Sequence, residues 1–169
     1  MILIGLGANT AGPWGSAEAS LLRALDQLGR WPLRLKAVSR LIKTAPFGRP
    51  NQPPFVNAVA AIETHLPPEG LMRALHAIEQ AAGRRRGVRW GPRTLDLDLL
   101  DYHGLVRRRA FPMAATLRPL ILPHPGIGAR IFVLAPIAEI APRWRHPVCH
   151  RSAAQMLRRL SGMREGSEL

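Results

Sequence analysis

Two aspartates two residues apart, Asp96 and Asp98 in the run TLDLDLL, are the residues of this chain best placed to do chemistry. In an extended strand, Leu95, Leu97 and Leu99 take one face, and Asp96 and Asp98 share the other with Thr94 and Leu100. Carboxylates so placed start about 6 to 7 Å apart, and their side chains can converge on a pair of cations about 3.5 to 4 Å apart. Hard oxygen donors favour magnesium. A solvated strand face would also carry aspartate, although the residue is depleted from strands. The surrounding sequence favours the metal: Arg84, Arg85, Arg86, Arg89 and Arg93 immediately precede the pair. Carboxylate, divalent cation and guanidinium together are what transfer from a polyphosphate needs, since metal and arginine neutralise and orient phosphate oxygens. Trp90, between two of these arginines, is placed to close over such a site.

The elements that must position these groups follow from periodicity. Ile2 to Leu6 reads as a short buried strand, ended in a turn by Gly5, Gly7 and Asn9. Ser16 caps a helix whose apolar face is Leu21, Leu22, Leu25 and Leu28, with Gly29 as its stop. Alternation from Leu33 to Leu41 predicts a half-exposed strand. Four prolines and a glycine make Thr44 to Pro54 a loop. Phe55 to Glu63 is a strand, and a helix follows with Pro68 in its first turn and a stripe of Leu71, Leu75, Ile78 and Ala82. Gly83 to Pro92 is a second loop, and Thr94 to Leu100 the last strand. The order predicts an α+β, ferredoxin-like βαββαβ sandwich: an antiparallel sheet with both helices on one face. A C-terminal extension is less regular, with a helix expected at Ala153 to Leu160 capped by Ser152.

Composition bounds the rest. A chain of 169 residues, 47% hydrophobic, suits one domain spanning 1–169, with a basic tail over roughly 143–169. No apolar run approaches the ~20 residues needed to span a bilayer, and the apolar start lacks the features of a signal peptide. A cytoplasmic monomer is therefore expected, bound neither to membrane nor to nucleic acid. The net charge of +13 rests on arginine, Lys36 and Lys43 being the only lysines, and most of it is read as solvated surface. The lone Cys149 cannot form an internal disulfide.

Taken together, RWGPRTLDLDLL, the opening GLGAN, TAPFG, QPPFVNAV, IEQAAGRRR and LPHPGIGARIFVLAPIAEIAP resemble the hydroxymethyl-dihydropterin pyrophosphokinases of folate synthesis, over most of residues 1–142. The resemblance implies a ferredoxin-like fold and transfer of pyrophosphate from ATP to the hydroxymethyl group of a dihydropterin, releasing AMP. It makes Asp96 and Asp98 ligands of two Mg²⁺ ions, with Arg84 and Arg93 gripping phosphate as catalytic groups. Asp98 is the nearest carboxylate for a base, a role left open because a metal-polarised alcohol need not have one. Arg86, Arg89, Trp90, His124 and Arg130 become ATP-binding residues. Thr44, Pro46, Phe47, Phe55, Asn57 and Phe132 become the pterin pocket, the two phenylalanines stacking and Asn57 reading the ring edge. Phe55 stands where a tyrosine is common in the family, and 101–122 diverges, so no ribose or adenine contacts are assigned there.

Two other functions fit parts of this pattern. An RNA-binding module would use the same fold and charge, but needs exposed aromatics where Asp96 and Asp98 stand. A two-metal phosphodiesterase would share the carboxylates but wants a further cluster of ligands.

Overall fold

A computed structural model describes residues 1–45, 52–84, 93–107 and 120–165. Strand β1 (Ile2–Ala8) is followed by α1 (Ala17–Leu28), β2 (Leu33–Val38), β3 (Ile42–Thr44), β4 (Phe55–Thr64), α2 (Pro68–Ala81), β5 (Asp96–Tyr102), α3 (Ile131–Ile140) and α4 (Ala153–Glu165). Every strand pairing is antiparallel, in the order β2-β4-β1-β5, and β3 pairs β4 as well. The result is the ferredoxin-like arrangement, with β1 and β4 central.

The even positions of β1 and β4, among them Ile2, Ile4, Leu6, Ala58, Ala60 and Ile62, join Leu21, Leu28, Leu71 and Leu75 of α1 and α2 in one core. Burying apolar side chains of this size, at about 1.5 to 3 kcal/mol each, is what holds the helices to this face. Local signals set the helix ends: the Ser16 hydroxyl accepts from the Ala19 amide at 3.2 Å. Pro68 opens α2, where its missing amide costs nothing.

Two expectations need correction, and one feature was not foreseen. β1 does not stop at Leu6: it runs to Ala8 with both glycines inside the ladder, Gly5 opposite Val59 and Asp98, and Gly7 opposite Asn57 and Asp96. The strand expected over 33–41 ends at Val38, and a separate strand, β3, follows it at Ile42–Thr44, taking in Thr44, which was expected in the loop. Ser39 intervenes, its hydroxyl accepting from the Val59 amide at 3.0 Å where a ladder carbonyl would otherwise do so. The second face of the sheet is not open throughout. Leu3, Val59, Ala61 and Leu100 pack there against Val133, Leu134 and Ile137 of α3, and against Trp144 and Ala153.

Helix α3 was invisible to periodicity because it is apolar nearly all round and carries Pro136 in its interior. Lying between the sheet and α4, it has no polar stripe to show. The terminal helix extends to Glu165, and its cap is reciprocal: Gln155 N donates to the Ser152 hydroxyl, while Ser152 N donates to the Gln155 side chain. No helix among the described residues is long and apolar enough to cross a membrane.

Candidate active site

The open end of the second face is floored by glycine. Asn57, Gly7 and Asp96 form one row across β4, β1 and β5, and Val59, Gly5 and Asp98 the next. A side chain at Gly7 would press on Asn57, since an added Cβ would lie 3.1 Å from Asn57 Oδ1. Glycine therefore keeps a trough clear between the amide and the carboxylates. Two strand spacings of about 4.8 Å make it roughly 10 Å across.

At the β5 wall, Asp96 and Asp98 share a face and live differently. Asp96 is held on both oxygens, one 2.5 Å from Arg84 Nη1 and the other paired with Arg93. Asp98 is 38% exposed, and His124 Nε2 and Arg130 Nη1 stand 3.9 and 4.0 Å away, too far to satisfy it. Gly126 lets those two side chains lie together, because an added Cβ there would come within 3.0 Å of both. His124 Nδ1 accepts from the Gly126 amide at 3.0 Å, so a neutral ring carries its proton on Nε2, toward Asp98. Burial lowers the His124 pKa, only partly opposed by the charge of Asp98, and keeps that neutral form. Arg130 also lies over the Phe132 ring, 5.8 Å from its centre.

At the β4 wall, Asn57 is buried and donates from Nδ2 to the Thr44 hydroxyl at 2.9 Å. Phe55, opposite Thr44 in the β3–β4 ladder, alternates onto the same face as Asn57. Phe55 and Phe132 are both half-buried. Pro46, Phe47, Arg86, Arg89 and Trp90 lie outside the described residues.

Two organising residues were missed from sequence. Asn9 is buried where the loops meet. Its Oδ1 accepts the Arg93 amide at 2.8 Å, and its Nδ2 reaches Gln52 Oε1 and the Pro53 carbonyl at 3.3 Å. One short side chain thereby ties the end of β1 to both site loops. Glu79, only 3% exposed, accepts the Leu97 amide at 2.7 Å and pairs with Arg84. Burial raises its pKa, against the opposing charge of Arg84. The signal was present: Glu79 continues the buried spacing of Leu71 and Leu75, where a carboxylate must find partners.

A carboxylate pair facing arginines and a neutral histidine, across a bare floor from a fixed amide, is the site of a phosphoryl-transferring enzyme on a ferredoxin-like sheet. Residues 3–142 match the family model for 7,8-dihydro-6-hydroxymethylpterin-pyrophosphokinase. The chain belongs to that family. It is 44% identical over 147 residues to the 2-amino-4-hydroxy-6-hydroxymethyldihydropteridine pyrophosphokinase of Pseudomonas aeruginosa, covering 86% of this chain and 83% of the relative. The Methylorubrum extorquens enzyme of the same name is 41% identical over 140 residues, covering 82% and 81%. In shape the chain resembles crystallised Plasmodium falciparum HPPK-DHPS at a TM-score of 0.76 and 13% identity, over 99% of this chain and 45% of that one. It thus spans under half of that longer protein.

Proposed function

We propose that this chain transfers the pyrophosphoryl group of ATP to the hydroxymethyl oxygen of 6-hydroxymethyl-7,8-dihydropterin, releasing AMP, in folate biosynthesis. Family membership supports the reaction. The observation that carries the placement is the glycine-floored trough, with Asn57 and Thr44 on one wall and Asp96 and Asp98 on the other. A flat heterocycle held at the amide wall would present its side-chain hydroxyl toward the carboxylates about 10 Å away. Asn57 Nδ2 is engaged by Thr44, which fixes the amide with Oδ1 beside Gly7 as acceptor for a ring N–H. Phe55 and Phe132 would supply apolar faces, with Thr44, Pro46 and Phe47 around them.

In the transfer, the pterin oxygen forms a bond to the β-phosphorus while the bond from that phosphorus to the oxygen joining it to the α-phosphate breaks. AMP leaves with that oxygen, and the hydroxyl proton is lost to solvent or to a carboxylate. Arg84 and Arg93 are set against Asp96, where each can pass to a phosphate oxygen. His124 offers Nε2–H and Arg130 a guanidinium at the edge of Asp98, in reach of a triphosphate. Arg86, Arg89 and Trp90 are the remaining nucleotide contacts we assign. Asp96 and Asp98 fit magnesium, which is commonly bound by one or two carboxylates together with substrate phosphates. Two ions held there would neutralise phosphate charge and polarise the attacking oxygen.

Purified protein given Mg-ATP and 6-hydroxymethyl-7,8-dihydropterin should release AMP in step with pterin pyrophosphate. AMP no higher than in a control without the pterin would sink this reading.

A further inference from the structure

Glu79 is a buried carboxylate at a point where three parts of the site meet. It stands in the last turn of α2, and its Oε1 takes the Leu97 amide at 2.7 Å. Leu97 lies between Asp96 and Asp98 on β5, an outermost strand of the sheet. The side chain therefore stands in for a neighbouring strand at the point from which both carboxylates project. The same oxygen pairs with Arg84 Nη1, and the Arg84 amide donates to the Glu79 carbonyl at 3.0 Å. Arg84 is thus gripped at backbone and guanidinium by one residue, while its Nη1 also reaches Asp96 at 2.5 Å.

The shared guanidinium carries a chemical consequence. When a cation occupies Asp96, the Arg84–Asp96 pair competes with it, and an arginine anchored only to Asp96 would swing free. Glu79 is an anion that no incoming ion displaces, because it is enclosed by its own partners. We propose that Glu79 is a positioning residue for pyrophosphoryl transfer: it keeps Arg84 aimed at the phosphates, and Asp96 and Asp98 in register, after the metal has taken the aspartates. It touches neither substrate, and acts through Arg84 and the Leu97 amide. This rests on the reading that Arg84 grips phosphate.

The experiment is a double-mutant cycle on Glu79→Gln and Arg84→Ala, measuring kcat and both KM values with Mg-ATP and the pterin. Glutamine keeps an acceptor for the Leu97 amide but removes the charge that holds Arg84. Glu79→Gln should lower kcat by about 10- to 100-fold with the pterin KM within about threefold, and should cost less than about threefold when Arg84 is already alanine. Its melting temperature should stay within about 5 °C of the parent. Losses that multiply independently would overturn the proposal while leaving Arg84 on phosphate. An Arg84→Ala variant as active as the parent would overturn the phosphate reading and this inference together. Glu79→Gln that is fully active, or unfolded at 25 °C, would also overturn it.

Discussion

The second face of the sheet has two ends built from the same strands, and they are finished in opposite ways. At one end Leu3, Val59, Ala61 and Leu100 lie under α3 and the helical extension. At the other, Gly7 adds no side chain between buried Asn57 and Asp96, and Asp98 in the next row is left partly open to solvent. Their aspartates show the contrast most directly. Asp101 is 3% exposed and fully committed, accepting the Trp144 indole N–H at 2.7 Å and the Gly104 amide at 3.0 Å. A register shift between Leu3 and Ile4 turns it onto the same face as Asp98. Asp98 is 38% exposed with its nearest cationic neighbours at 3.9 and 4.0 Å. One end places its charge to close a fold, and the other leaves charge free to bind.

The contrast breaks most visibly at Asp98. With no close partner to lose, Asp98→Ala should melt within about 3 °C of the parent while kcat/KM for AMP release falls by about 10³-fold or more. Comparable activity in the variant would remove Asp98 from the mechanism. The converse holds at the covered end. Trp144→Phe leaves Asp101 buried with one donor fewer, so urea unfolding should show a loss of about 1.5–3 kcal/mol. Turnover of the folded fraction should remain within about twofold. A variant that keeps its stability but loses turnover would mean that the tail serves the chemistry directly.

How much of this was legible in advance follows the same division. Helices α1 and α2 and strand β2 were readable because each has one apolar face and one wet one, and β1 and β4, buried on both faces, because they are short apolar runs. Asp96 and Asp98 were readable for the same reason, as paired carboxylates on the polar face of an alternating strand. The covered end was not: α3 is buried on both sides and so has no stripe, and Asp101 reaches its face only through a bulge that alternation does not foresee. Glycine misled in β1, where the usual inference of a turn gave way to a central strand in which side chains at Gly5 and Gly7 would press on Leu100 and Asn57. Asn9 acts through partners 40 or more residues away along the chain, which no local pattern contains, and the burial of Glu79 could be read from its spacing but its bond to the Leu97 amide, 18 residues on, could not. The fold also bears on the RNA alternative. α3 and its neighbours occupy one end of the sheet platform, and carboxylates line the other.

A half-buried histidine at each end, His124 and His146, gives the finest test. His124 accepts the Gly126 amide at Nδ1, and His146 accepts the amides of Val148 and Cys149 at Nδ1, at 3.2 and 3.3 Å. Burial lowers the pKa of both, against the nearby charge of Asp98 in one case and Asp101 in the other. The native ring thus protonates at lower pH than the unfolded chain, whose histidines titrate near 6.5. As pH falls through that value, the unfolded state takes up the proton first, so stability is lost, and the loss levels off below the native pKa. Solvent reaching His146 keeps the effect small. His146→Asn, which retains an acceptor for the two amides, should make the fall in melting temperature between pH 7 and 5 shallower by about 1–2 °C, with the pH profile of kcat unmoved. His124→Asn should instead lower kcat across the whole range by about tenfold. If His146→Asn kept the full acid slope, or shifted the activity profile, the two ends would not be separable by their histidines.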